Sequence, residues 1–108
     1  MAGPEATIEK YLCEQVEKVG GMTIKQQGTR GVPDRLVIFE GEHYHVEVKQ
    51  PNGKLDAHQK RYLQKLREHG AEVIVLWNKN QVDGFVRSLQ DDYELDWLWS
   101  VEHVGGVQ

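Results

Sequence analysis

The chain has 108 residues, of which 39% are hydrophobic and 28% charged, with a formal net charge of −4. That length and composition suit one ordinary globular domain over residues 1–108 and argue against a passive nucleic-acid coat. No apolar run approaches the ~20 residues of a membrane helix, and a lone Cys13 with no signal-peptide pattern at the N-terminus points to the cytoplasm.

Taken in chain order, Ile8, Tyr11, Leu12, Val16 and Val19 recur at helical spacing and predict an amphipathic helix over 4–19. Pro4 suits its first turn, and Gly20-Gly21 ends it. Residues 22–26 read as a short strand and 27–33 as a loop. Arg35–Phe39 is apolar and β-rich, Glu40–His43 is a turn containing Gly41, and Tyr44–Lys49 alternates as a strand should. Gln50-Pro51-Asn52-Gly53 breaks the hairpin. Asp56 and Gln59 form a capping-box start to a helix that carries Tyr62, Leu63 and Leu66 inward and stops at Gly70. Residues 72–77 form a buried strand, and Val82, Phe85, Val86 and Leu89 mark a final helix. The tail holds Trp97 and Trp99. The order α-β-β-β-α-β-α, with a helix crossing between the last two strands, predicts an α/β fold with a mixed central sheet flanked by helices on both faces.

Charge is unevenly spread. Between Lys49 and Gly70 bases exceed acids by four, and between Asp83 and Glu102 acids exceed bases by five. A basic middle fits a phosphate-binding face, with the acidic end solvated or partner-binding.

Pro33-Asp34 and Glu47-Val48-Lys49 lie on the two arms of the predicted hairpin. Directly opposed residues share a face. A loop over Glu40–His43 pairs Phe39 with Tyr44 and sets Asp34 opposite Lys49; a two-residue loop sets Asp34 opposite Glu47. Either register gathers Asp34, Glu47 and Lys49 on one face and leaves Val37, Phe39, Tyr44, Val46 and Val48 on the other. Pro33 cannot donate a ladder hydrogen bond and suits the start of an edge segment. Two carboxylates, the main-chain carbonyl of Val48 and a phosphate oxygen can hold a hard cation such as Mg²⁺. Such a cation polarises a phosphate and acidifies a water, while Lys49 orients that water or steadies the developing charge. These are the parts for phosphodiester hydrolysis. A surface cross-strand ion pair would use the same residue types, but the position at a strand start, the partner strand and the basic helix that follows favour a site.

The run Gly31-Val32-Pro33-Asp34-Arg35-Leu36-Val37, the run from Val46 to Leu55 containing Glu47-Val48-Lys49, and then Gln59 resemble the virus-type replication-repair nuclease (VRR-NUC) family of the PD-(D/E)xK superfamily. The resemblance extends from the first helix to about Trp77. It implies a restriction-endonuclease-like fold and a Mg²⁺- or Mn²⁺-dependent endodeoxyribonuclease, with Asp34 and Glu47 as metal ligands, Lys49 as the catalytic lysine and Gln59 beside the site. It also implies an acid on the first helix that completes the metal site, for which Glu9 is the choice and Glu5 and Glu14 the substitutes. Small stand-alone members, mostly from phages and bacteria, resemble homodimers that act on four-way DNA junctions. The resemblance therefore implies a Holliday junction resolvase, at work in the host cytoplasm if phage-encoded. Two-fold symmetry would set two sites on two strands of a branch. Trp97-Leu98-Trp99 is a candidate interface, or equally an aromatic flap over the protein's own core.

Arg30, Arg35, Lys54, His58, Lys60 and Arg61 are candidate contacts to the DNA backbone. His43, His45 and Glu47 alternate on one strand and have zinc-ligand chemistry, but they lack a fourth motif ligand. With no Gly-rich nucleotide loop, no nucleotide cofactor is expected. The alternative to an enzyme is a catalytically silent DNA-binding module, or a subunit of a larger repair or restriction complex; intact Asp34, Glu47 and Lys49 argue against it.

Overall fold

The computed structural model describes residues 3–91; the expectations for Trp97 and Trp99 and for most of the acidic tail lie outside them. The elements run α1 (Pro4–Lys18), β1 (Met22–Lys25), β2 (Arg35–Phe39), β3 (Glu42–Val48), α2 (Ala57–Glu68), β4 (Glu72–Leu76) and α3 (Lys79–Leu89). This is the mixed α/β order expected. The strands form one sheet in the order β1-β2-β3-β4, antiparallel across the first three and parallel between β3 and β4. A parallel pair needs a crossover, and α2 supplies it.

Alternation along β2 and β3 decides which helix covers which face. Val37, Phe39, Val46 and Val48 join Ile74 and Leu76 in a core with Ile8, Leu12 and Val16 of α1 and Val82, Phe85, Val86 and Leu89 of α3. Tyr44 meets Phe85 edge-on there, with ring centroids 5.5 Å apart. On the other face Val73 and Val75 pack with Leu55 and Leu63, bringing α2 against β4. Each of these aliphatic side chains contributes roughly 1.5–3 kcal/mol by leaving water. Among the described residues no helix is long and apolar enough to cross a membrane.

Two expectations need correction. The hairpin turn is Glu40-Gly41 alone, because both residues take positive φ (50° and 83°) and pair Phe39 with Glu42. Positive φ at both central positions is what a tight type I′ turn requires, and its twist matches that of the strands. The register Arg35↔Val46, continued by one residue, sets Asp34 across from Glu47 rather than from Lys49. Pro33 does not open an edge strand: β2 lies between β1 and β3, and Pro33 sits buried just ahead of it, where no ladder N–H is needed. The final helix contains Val82, Phe85, Val86 and Leu89 as expected, and Asn78 caps its start by accepting from the Gln81 N–H at 2.8 Å.

Candidate active site

The approach to Asp34 is set by backbone contacts. Gly31 has φ +88°, and a Cβ there would lie 2.7 Å from the His58 carbonyl oxygen, so glycine lets this loop rest on the first turn of α2. Beyond it, Gln26 brackets Pro33 and Asp34. Its side-chain Nε2 donates to the Pro33 carbonyl at 3.1 Å, and its main-chain N–H donates to the Asp34 carbonyl at 3.0 Å. The Asp34 carboxylate then accepts from the Val48 N–H at 2.8 Å, tying the start of β2 to the end of β3. Burial pushes the Asp34 carboxyl above its ordinary range; the Val48 N–H offsets part of this, and the Glu9 charge adds to it.

Glu47 is only 2% exposed, a carboxyl inside a sheet whose neighbouring positions are apolar. Burial, then the facing charge of Asp34, push it up to about 8, against the opposing pull of Lys49. Gln59 reaches it from α2: its Nε2 donates to Glu47 Oε2 at 2.9 Å. The other end of the same amide is engaged as well, because Gln59 Oε1 accepts from the Asp56 N–H at 2.9 Å while Asp56 Oδ1 accepts from the Gln59 N–H at 2.8 Å. Lys49 is half-buried, its main-chain N–H donating to the Leu76 carbonyl at 2.9 Å, and its charge acts on both carboxyls. Asp34, Glu47, Lys49 and Gln59 are thus brought together where β3 and β4 end.

Glu9 is held differently. Its Oε2 accepts from Lys25 Nζ at 2.9 Å and from Arg35 Nε at 2.7 Å. Burial raises the Glu9 carboxyl, but those two hydrogen bonds outweigh it and hold the group below its ordinary value. The α1 carboxylate whose charge reaches Glu47 is Glu5. Glu14 lies farther along α1, lining a separate surface pocket with Glu17 and Lys18. Among the proposed DNA contacts, Arg35 is committed to Glu9, whereas Arg30, Lys54, His58, Lys60 and Arg61 are exposed. Gly31 puts the Arg30 loop beside His58. His43 is exposed on β3, with Nδ1 3.1 Å from the Gly41 carbonyl. Among the described residues, no group of three or more His, Cys, Asp and Glu side chains is gathered closely enough to hold a metal ion, either at His43, His45 and Glu47 or at Asp34 and Glu47 with an acid of α1. Sequence reasoning passed over Gln26 and the contact of Gly31 with α2. A glycine two residues before Pro33 was a visible signal for the second; nothing marked Gln26.

A family model for the VRR-NUC domain matches residues 9–80, a span that holds Asp34, Glu47, Lys49 and Gln59. The chain belongs to the VRR-NUC family. "Putative nuclease p44" of Acyrthosiphon pisum secondary endosymbiont phage 1 is 44% identical over 75 residues, which cover 67% of this chain and 81% of that protein. A solved VRR-NUC domain superposes with a TM-score of 0.72 at 38% identity, covering 80% of this chain and 97% of its own. The matched span of this VRR-NUC chain contains its own Asp34 and Glu47, and the family and the relative's name support nuclease activity.

Proposed function

We propose that this chain, residues 1–108 acting as one nuclease domain, is a Mg²⁺- or Mn²⁺-dependent endodeoxyribonuclease that hydrolyses phosphodiester bonds in branched DNA as a cytoplasmic homodimer. The observation that carries this reading is the convergence of the half-buried Asp34 carboxyl and the buried Glu47 carboxyl at the ends of β2 and β3, with the charge of Lys49 acting on both. A carboxyl pushed up to about 8 by burial and by a facing acid keeps a proton that a divalent cation would replace. The donor set fits such a cation, since hard cations take oxygen ligands and keep several waters. Asp34, Glu47 and the main-chain carbonyl of Val48 would hold it, with a third acid from α1. Glu5 is placed ahead of Glu9 here, because Glu9 would first have to release Lys25 and Arg35. When bound, the cation supplies Lewis acidity to the scissile phosphate and lowers the pKa of a bound water.

The protein's own groups do the rest. Lys49 holds the attacking water and balances charge that grows on the phosphate. Gln59 steadies Glu47 through the Nε2–Oε2 hydrogen bond. Exposed Arg30, Lys54, His58, Lys60 and Arg61 meet the DNA backbone without reading its sequence. A two-fold pair of chains would apply two such sites to two strands of a symmetric branch.

The test incubates purified protein with labelled four-way junctions, flaps and linear duplex, with and without Mg²⁺ or Mn²⁺, and maps the cuts. Junction cutting is expected only with metal, and Lys49→Ala should keep junction binding while cutting falls by at least ~10²-fold. Absence of metal-dependent nicking on all three substrates overturns the reading. Sedimentation of the free protein at twice the chain mass is the expected sign of the dimer.

A further inference from the structure

The side-chain amide of Gln59 has two nearly isosteric ends, an oxygen that only accepts and an NH₂ that only donates. Which end faces Glu47 decides whether the contact supports a carboxylate or repels it. The capping box at the start of α2 settles that choice. The Asp56 N–H donates to Gln59 Oε1 at 2.9 Å, so Nε2 is the end left to meet Glu47 Oε2, also at 2.9 Å. Turning the amide over would set two N–H groups against each other at Asp56 and, once a cation has replaced the Glu47 proton, two oxygens against each other at Glu47. The box itself is held by the Asp56 side chain, whose Oδ1 accepts from the Gln59 N–H at 2.8 Å.

We propose that Asp56 is a positioning residue of the nuclease site, acting through the orientation of the Gln59 amide to hold Glu47 as a hydrogen-bond acceptor facing Asp34. This rests on the metal-dependent nuclease reading above. Asp56 itself is exposed and bonds neither Asp34 nor Glu47 directly; its charge also reaches Lys49, so Asp56→Ser, which removes the charge but keeps a cap oxygen, separates the route through Gln59 from electrostatics. The same turn of α2 also seats the Asp34 loop, where Gly31 meets the His58 carbonyl. One helix start therefore steadies both arms of the carboxylate pair. Groups that orient a metal ligand in this way typically change metal affinity about 10–100-fold when removed.

The test is a double-mutant cycle read by Mn²⁺ binding in titration calorimetry without DNA, and by the Mn²⁺ concentration needed for half-maximal junction cutting. Asp56→Ala keeps the main-chain N–H but removes the Oδ1 contact that holds it against Gln59, and should weaken Mn²⁺ binding by about 3- to 10-fold. Asp56→Ser keeps a side-chain oxygen at the cap and should stay within about 2-fold of wild type. In a Gln59→Ala background, Asp56→Ala should add less than about 2-fold, because the route between the two sites is gone. If Asp56→Ala weakens Mn²⁺ binding equally with and without Gln59, or has no effect while wild type binds normally, the inference is overturned and the nuclease reading stands. A wild type that binds no Mn²⁺ and cuts no DNA overturns both. Asp56→Gly, which costs a cap only a few tenths of a kcal/mol, replaces Asp56→Ala if the alanine variant does not fold, and the same outcomes then apply.

Discussion

At the scale of the residue, Glu47 is the group whose chemistry the fold alters most. A carboxyl with an ordinary value of 4.5 is pushed up to about 8 by burial and then by Asp34. Between those values the folded chain holds a proton that the unfolded chain has lost. By linkage the associated stability is fully present below about pH 4.5 and is lost as the pH climbs toward 8. Asp34 shifts in the same direction. His45 works in the opposite sense below its ordinary 6.5, because burial and then the charge of His43 lower it. The window from 6.5 to 8 is therefore the one that isolates Glu47. Metal-free protein should lose stability across it, by no more than roughly 1.4 kcal/mol per pH unit. Glu47→Gln should flatten the dependence, and Mg²⁺ should restore stability at pH 8. Urea unfolding at pH 6.5, 7.2 and 8 measures this; a wild-type midpoint that holds or rises with pH would contradict it. Much of this residue-level picture was legible beforehand. Asp34, Glu47 and Lys49 announce themselves by spacing and type and Gln59 by the family resemblance, whereas the commitment of Glu9 to Lys25 and Arg35 depends on how α1 crosses β1 and β2, which no local pattern encodes.

At the scale of the element, turns decide the placement. Glu40 sits at φ 50° in the hairpin, a region where non-glycine residues are disfavoured by roughly 1–2 kcal/mol and asparagine less so. Glu40→Asn should keep the register and raise the melting temperature by a few degrees, seen by thermal unfolding. Gly31→Ala should do the reverse. It places a Cβ against the His58 carbonyl at a positive φ, and the backbone on both sides has to shift. A loss of roughly 1–3 kcal/mol is expected, with junction cutting falling further than global stability explains because Asp34 moves with the loop. Equal wild-type and Gly31→Ala values in both urea unfolding and cutting would show that the contact is dispensable. The four-residue turn expected over Glu40–His43 failed for a local reason: positive φ at Glu40 runs against its residue type. The pull of the register, with Phe39 paired to Glu42, outweighs that preference.

At the scale of the whole molecule, the proposed function requires a chain with net charge −4 to approach a polyanion through a basic face. Arg30, Lys54, Lys60 and Arg61 are exposed around the start of α2 and the loop packed on it. Each phosphate neutralised steepens the salt dependence of duplex binding by roughly 0.9 in log–log slope, so Lys60→Ala with Arg61→Ala should reduce the slope by about 2. Fluorescence anisotropy of junction DNA on Lys49→Ala protein from 50 to 200 mM salt measures it; an unchanged slope would remove α2 from the interface. Arg35→Ala should leave the slope unchanged, since that guanidinium is already paired with Glu9. Sequence alone determined the element order and the face that each strand residue takes, because periodicity and capping are short-range properties of the chain. It also determined which residue types meet near Asp34, because a hairpin of either even loop length preserves their parity. Tertiary structure decided the rest. The packing of Gly31 on α2, the ion pairs that claim Glu9 and the burial that raises Glu47 all arise between residues far apart in the chain, where helix crossing and sheet order set the distances.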